Sequence, residues 1–162
     1  MSNNYRLCAG AVVFNNKGEV LLGNRIDMET DSWQFPQGGI ELDETPEIAA
    51  KRELFEETSV KSVKSVSISQ KPLRYVFPQK IKDKFLRRGI CCDGQDIYFT
   101  LFYFEGNDDE ISAKTACPEF KELKWYTLDF ALENIVDFKK DVYKTIISQF
   151  EPKIRQYICK LS

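Results

Sequence analysis

Between Gly38 and Val60 the chain reads GGIELDETPEIAAKRELFEETSV, and this stretch constrains the fold more than any other. Thr45 is a good N-cap, and Pro46 suits the first helical position, where its missing N–H costs nothing. Ile48, Leu54 and Phe55 give the following helix an apolar stripe to bury. At 100° per residue, Glu53, Glu56 and Glu57 fall within about one third of the circumference, with Ala49 between them leaving room for ions. Glu44 joins the acidic set and Arg52 lies at its edge, placed to orient a carboxylate. Two carboxylates about 6 Å apart at an effective dielectric near 20 repel by about 3 kcal/mol. A divalent cation offsets that repulsion, so the pattern points to magnesium or manganese and to polyphosphate chemistry.

An isolated ELFEE segment reads more simply as a solvated acidic helix face, because glutamates are good helix formers. Gly38 and Gly39 argue for more. A glycine pair suits backbone that passes close to a ligand or turns with positive φ. Gly38, five residues, Glu44, seven residues, then Arg52-Glu53-Leu54-Phe55-Glu56-Glu57-Thr58-Ser59-Val60 resembles the signature of the Nudix hydrolases. The family usually has glycine where this chain has Ser59. That position follows the helix, where a left-handed cap is expected, and serine there costs on the order of 1 kcal/mol.

Composition sets the surroundings. The 162 residues carry a formal net charge of −2 and no histidine, which excludes histidine nucleophiles and bases. Acid–base work falls to carboxylates, lysine, tyrosine or metal-bound water. Five cysteines without a CxxC pair fit reduced thiols in a cytoplasm rather than a zinc site or a disulfide framework. No apolar run approaches a membrane span, and the N-terminus lacks a signal-peptide pattern. The length suits one domain, 1–162.

Strands are expected at 5–15 and 19–26, joined by the turn Asn15-Asn16-Lys17-Gly18, and at 62–68, 72–77, 96–105 and 121–127. The near-continuous apolarity of 96–105 implies burial on both faces. Phe138, Val142, Ile146 and Phe150 recur every four residues and predict a helix over about 137–158. The segment 78–89 holds Lys80, Lys82, Lys84, Arg87 and Arg88 against Asp83 and reads as a basic loop able to hold phosphates. Strands and helices in this order give an α/β fold with a mixed sheet between helices, and the resemblance implies the Nudix α/β/α sandwich.

Further landmarks resemble the bacterial RNA pyrophosphohydrolase branch of that family, also known as dinucleoside polyphosphate hydrolases. They are Ser32 to Ile40 (SWQFPQGGI), Leu73-Arg74-Tyr75, Gly94-Gln95, Pro118-Glu119-Phe120 and Phe138 to Tyr143 (FKKDVY). By that resemblance Glu53, Glu56, Glu57 and Glu119, with Gly38, would hold two or three Mg2+ or Mn2+ ions once substrate is bound. Arg52 would serve the carboxylates. Arg25 and Lys139 would grip phosphates, Gln37, Tyr75 and Gln95 would line the substrate path, and Arg6 and Phe138 would sandwich a nucleobase. Glu53, Glu57 and Glu119 all remain candidates for the general base. Read singly, Arg25 suits a surface charge, Trp33 and Tyr75 suit core positions, and Glu119 suits an ordinary loop. The implied partner is the 5′ end of RNA or a dinucleoside polyphosphate. A non-catalytic nucleotide-binding regulator is the remote alternative, although such a module is expected to lose carboxylates that this chain keeps. The sequence leaves the oligomeric state open, with a monomer slightly favoured.

Overall fold

The computed structural model describes residues 4–161. Its elements in chain order are β1 (Tyr5–Phe14), β2 (Val20–Arg25), β3 (Trp33–Gln34), β4 (Gln37–Gly39), α1 (Pro46–Thr58), β5 (Val63–Ile68), β6 (Leu73–Val76), α2 (Gln79–Leu86), β7 (Gly94–Phe104), β8 (Phe120–Tyr126), α3 (Leu128–Asn134) and α4 (Lys140–Leu161). The strands form one mixed sheet whose main path is β3-β2-β1-β7-β5. β4 adds to β1, β6 to β7 and β8 to β2. β1 and β7 run parallel from Tyr5–Gly94 to Phe14–Tyr103, and the other pairings are antiparallel. No described helix is long and apolar enough to cross a membrane.

Alternation along β1 builds the layers. Cys8, Val12 and Phe14 enter one core with α3 and α4, while Ala9, Ala11 and Val13 enter a second core with Ala49, Ala50 and Leu54 of α1. β1 and its parallel neighbour are thus covered on both faces, which accounts for the apolarity of β7.

Helix α1 begins as expected, with the Thr45 hydroxyl accepting from Ile48 N–H at 3.2 Å. Its buried face differs. Leu54 is buried, but Ile48 is 54% exposed and Phe55 44% exposed. The face turned to the sheet carries Ala49, Ala50, Leu54, Glu57 and Thr58 instead. Ala50, Leu54 and Glu57 share one side at 100° per residue, and Ile48 points the opposite way. Ala49 accordingly lies in the core.

Two further expectations change. The basic segment is a helix, α2, held by Ile81 and Phe85 against the apolar core, with the Phe85 ring stacked on Phe77 at 5.1 Å. Pro78 starts it, and an i, i+4 apolar pair suffices to dock one face. The C-terminal helix begins at Lys140, later than the periodicity predicts, because Asp137–Lys139 forms a 3-10 turn. Phe138 and Lys139 therefore leave the helical stripe and point to the end of the sheet.

Ser59 caps α1 at φ 66°, ψ 6°, the left-handed conformation expected, and its N–H donates to Phe55 O at 2.9 Å. Ser59→Gly should raise the unfolding free energy by about 1 kcal/mol in urea titration, because glycine enters this conformation without strain. An unchanged midpoint would show that the cap carries no strain.

Candidate functional site

β4 pairs antiparallel with β1 and contacts α1, and its glycines set the spacing. A Cβ on Gly38 would fall 2.1 Å from the Glu53 carboxyl carbon, and a Cβ on Gly39 2.5 Å from Arg6 Nη2. Neither glycine has positive φ; among the described residues the positive-φ glycines are Gly18 and Gly89. The pair is required for close approach of side chains on both faces of β4, not for a turn.

Arg52 organises the outer carboxylates. Its guanidinium donates to Glu44 at 2.7 and 2.9 Å, to Glu53 at 2.7 Å, to Glu56 at 3.2 Å and to the Gly39 carbonyl at 2.9 Å. Glu44 is held down to about 2 by this guanidinium and by the Glu41 N–H. Glu53 is raised above the usual carboxylate range because burial outweighs Arg52. Glu57 differs from both. It is 5% exposed, and one carboxylate oxygen accepts from Gln37 N–H at 3.0 Å. Burial, then the negative charges of Glu53 and Glu119, push its pKa well above normal. Among the described residues, no three acidic or cysteine side chains are gathered closely enough to ligate an ion as they stand. Arg52 draws Glu53 and Glu56 toward itself, and Glu57 stays behind them against the sheet.

Gln37 joins this acidic layer to a cavity of about 360 Å³ on the other face. Its side-chain amide donates to Tyr75 Oη at 3.3 Å and Gln95 Oε1 at 3.2 Å, and Tyr75 Oη also donates to Gln95. The cavity brings together seven of the expected residues: Arg25, Gln37, Tyr75, Gln95, Glu119, Phe138 and Lys139. Glu119 is exposed on the strand-entry loop, where its carbonyl accepts from Ile26 N–H at 3.0 Å and fixes it beside the end of β2. Phe138 packs on Tyr75 and Phe77 with centroids 5.7 and 5.9 Å away. Arg6 is outside the cavity lining, although it pairs with Gln95 in the sheet register. Trp33 is a core residue, edge-on to Tyr126 at 4.9 Å.

Lys84 of α2 and Arg88, two residues past its end, line the cavity beside Phe77 and Phe85, where the basic segment was expected to meet phosphates. Other lining groups escape a reading by residue type. Asp27 engages Arg25 through two hydrogen bonds at 2.9 and 2.6 Å, an i, i+2 pairing made in the turn that follows β2. Gln34 is buried and its side-chain oxygen accepts from Arg25 Nη1 at 3.2 Å and Lys139 Nζ at 3.3 Å. Lys139 itself is 4% exposed, with its ammonium 5.3 Å from the Tyr75 ring centre. Burial, reinforced by the Arg25 charge, lowers its pKa to about 7.

The NUDIX domain family model matches residues 4–146. The chain belongs to the Nudix family. An RNA pyrophosphohydrolase of Roseobacter denitrificans is 38% identical over 149 residues, covering 91% of this chain and 92% of that protein. The RNA pyrophosphohydrolase of a Wolbachia from Brugia malayi is 36% identical, covering 96% of each. Among solved structures, the MutT protein of Methanosarcina mazei Go1 superposes with a TM-score of 0.64 at 19% identity, covering 92% of this chain and 97% of that one. A Caenorhabditis elegans Ap4A hydrolase gives a TM-score of 0.64 at 17% identity, covering 91% and 98%. Those two share the Nudix fold with this chain.

The lowered lysine pKa gives a pH dependence with a definite sign. Lys139 titrates near 7 folded and near its ordinary 10.5 unfolded, so between those values the unfolded chain binds more protons. The penalty for burying its charge is full below pH 7 and disappears as pH rises toward 10.5. Relative to Lys139→Met, the Nudix protein should therefore gain stability between pH 7 and pH 10 in denaturant titrations. A stability difference that stays flat over this window would contradict the burial argument.

Proposed function

We propose that this Nudix protein hydrolyses the phosphoanhydride at the 5′ end of RNA. A 5′-triphosphate or diphosphate end becomes a 5′-monophosphate, with release of pyrophosphate or phosphate. The observation that carries the reading is one of adjacency. A cavity with a cationic side (Arg25, Lys84, Arg88, Lys139) and an aromatic side (Tyr75, Phe77, Phe138) is joined through Gln37 to the buried Glu57 carboxylate. Relatives that match over more than nine tenths of their length are named RNA pyrophosphohydrolase, which supports the same substrate class.

Hydrolysis breaks a P–O–P linkage by water attack at phosphorus, and the barrier is dominated by charge on the phosphate oxygens. The donor set fits a hard divalent cation, Mg2+ or Mn2+: Glu53, Glu56, Glu57 and Glu119 offer oxygen only, and Glu57 is a buried carboxylate that forms no ion pair with a cationic side chain among the described residues. Those four side chains, with the Gly38 carbonyl, would hold it. A bound divalent cation supplies charge neutralisation and a more acidic water. The chain's own groups do the rest. Arg25 and Lys139, fixed to the same Gln34 oxygen, present two cations to the phosphate chain from one side. Phe138 and Tyr75 offer ring faces to a base. Gln37 keeps Glu57 and the cavity in register. A carboxylate among Glu53, Glu57 and Glu119 accepts the proton of the attacking water.

Rates on triphosphate-ended RNA and on diadenosine tetraphosphate, measured side by side, test the substrate. Faster turnover of the RNA end is expected, and activity on the dinucleotide alone would reject it. Glu56→Gln should lower turnover by orders of magnitude and leave the unfolding midpoint nearly unchanged, since Glu56 is exposed. Turnover that survives would remove Glu56 from the reaction.

A further inference from the structure

The fork of Arg25 that faces the cavity is already filled. Asp27 takes Nε at 2.9 Å and Nη2 at 2.6 Å, a two-point pairing of the kind a guanidinium makes with phosphate. The same Asp27 carboxylate accepts from Lys84 Nζ at 3.2 Å. Gln34 holds the remaining nitrogen, Nη1, at 3.2 Å. Two cavity cations on separate elements, the end of β2 and helix α2, thus share one internal anion at the mouth.

We propose that Asp27 is a resident competitor for the phosphate-binding groups, which a polyphosphate displaces and a monophosphate does not. The proposal rests on the polyphosphate reading above. A phosphate that takes Arg25 by two points must first expel the Asp27 carboxylate, because both would occupy the Nε–Nη2 edge. Expulsion also releases Lys84, so the incoming group regains that contact only if it carries enough charge to bind both cations. A triphosphate or diphosphate end can span them. The monophosphate left after hydrolysis has one phosphate group to offer, and Asp27 closes back on Arg25. Asp27 in this way sets specificity for chain length and speeds loss of product. Its side chain is about one third exposed, so the exchange requires no opening of the core.

Asp27→Asn keeps the shape and removes the competing charge; Asp27→Ser serves as a second variant if asparagine holds the fork. Binding of ADP and of AMP to the full chain, measured by calorimetry without turnover, is the readout. Removing one charge pair at a partly exposed site should tighten AMP binding about tenfold, more than it tightens ADP, and so narrow the preference for the longer chain. A gain of similar size in product inhibition should accompany it. Unchanged or weaker AMP binding in both variants would overturn the proposal, since a carboxylate that merely orients Arg25 gives loss on removal. Tighter AMP binding together with failure of the unaltered protein on RNA ends would uphold the competitor role, and the RNA substrate alone would fall.

Discussion

The close packing of α1 against the paired strands β1 and β4 is the constraint on which the site depends. Gly38 has no side chain, so the Glu53 carboxyl sits where a Cβ would be. Ala49 and Ala50 present no bulk to Ala9 and Ala11, so the helix lies close over the sheet. This proximity carries Glu57 into a layer that would otherwise be apolar, within reach of one backbone N–H. A larger residue at any of these positions moves the helix outward and returns the carboxylate to water.

The consequence is a helix whose polarity runs against the usual arrangement. A surface helix ordinarily buries its largest apolar groups. Here Ile48 and Phe55 face outward, with Lys61 over the Phe55 ring, and a carboxylate faces inward. Burying an unpaired charge is unfavourable by several kcal/mol unless a partner arrives. Arg52 is not that partner, because Glu44, Glu53 and Glu56 already surround it. The far side of the sheet shows the matching feature with opposite sign, since the buried Lys139 ammonium meets the Gln34 oxygen and the Tyr75 and Phe138 rings and, among the described residues, forms no ion pair with a carboxylate. An inward Glu57 carboxylate without a cationic partner on one face, and on the other a cavity of four cations whose Asp27 pairs Arg25 and Lys84, bridged by Gln37, suit a polyphosphate carried with a metal ion.

Much of this was legible in the residues, and what was not has physical causes. Thr45, Pro46 and Ser59 marked the limits of α1 because caps are local and depend on few atoms. The carboxylate spacing identified the acidic side of the helix but not its inward orientation, which is decided by how small Ala49 and Ala50 are. Composition concealed α2: the five basic residues of 78–89 suggested a loop, while Ile81 and Phe85 at i, i+4 were enough to dock it. Asp27 gave no signal, because only the turn after β2 brings its carboxylate back onto Arg25, and Gln34 stood in a landmark without a role, because Lys139, which it accepts from, is 105 residues away. Phe138 belonged by period to the last helix, and only the turn at Asp137–Lys139 redirects it.

The central claim is that Glu57 is buried at a cost which a divalent cation relieves. Its folded pKa lies above the unfolded value of 4.5, so the cost grows as pH rises past that value. Urea unfolding of the unaltered protein and of Glu57→Gln at pH 7.5, with chelator and then with magnesium, reads this directly. Without metal the variant should be more stable by about 1–3 kcal/mol, and magnesium should stabilise only the unaltered protein. A variant that is less stable without metal, or one stabilised by magnesium as strongly as the unaltered protein, would contradict it.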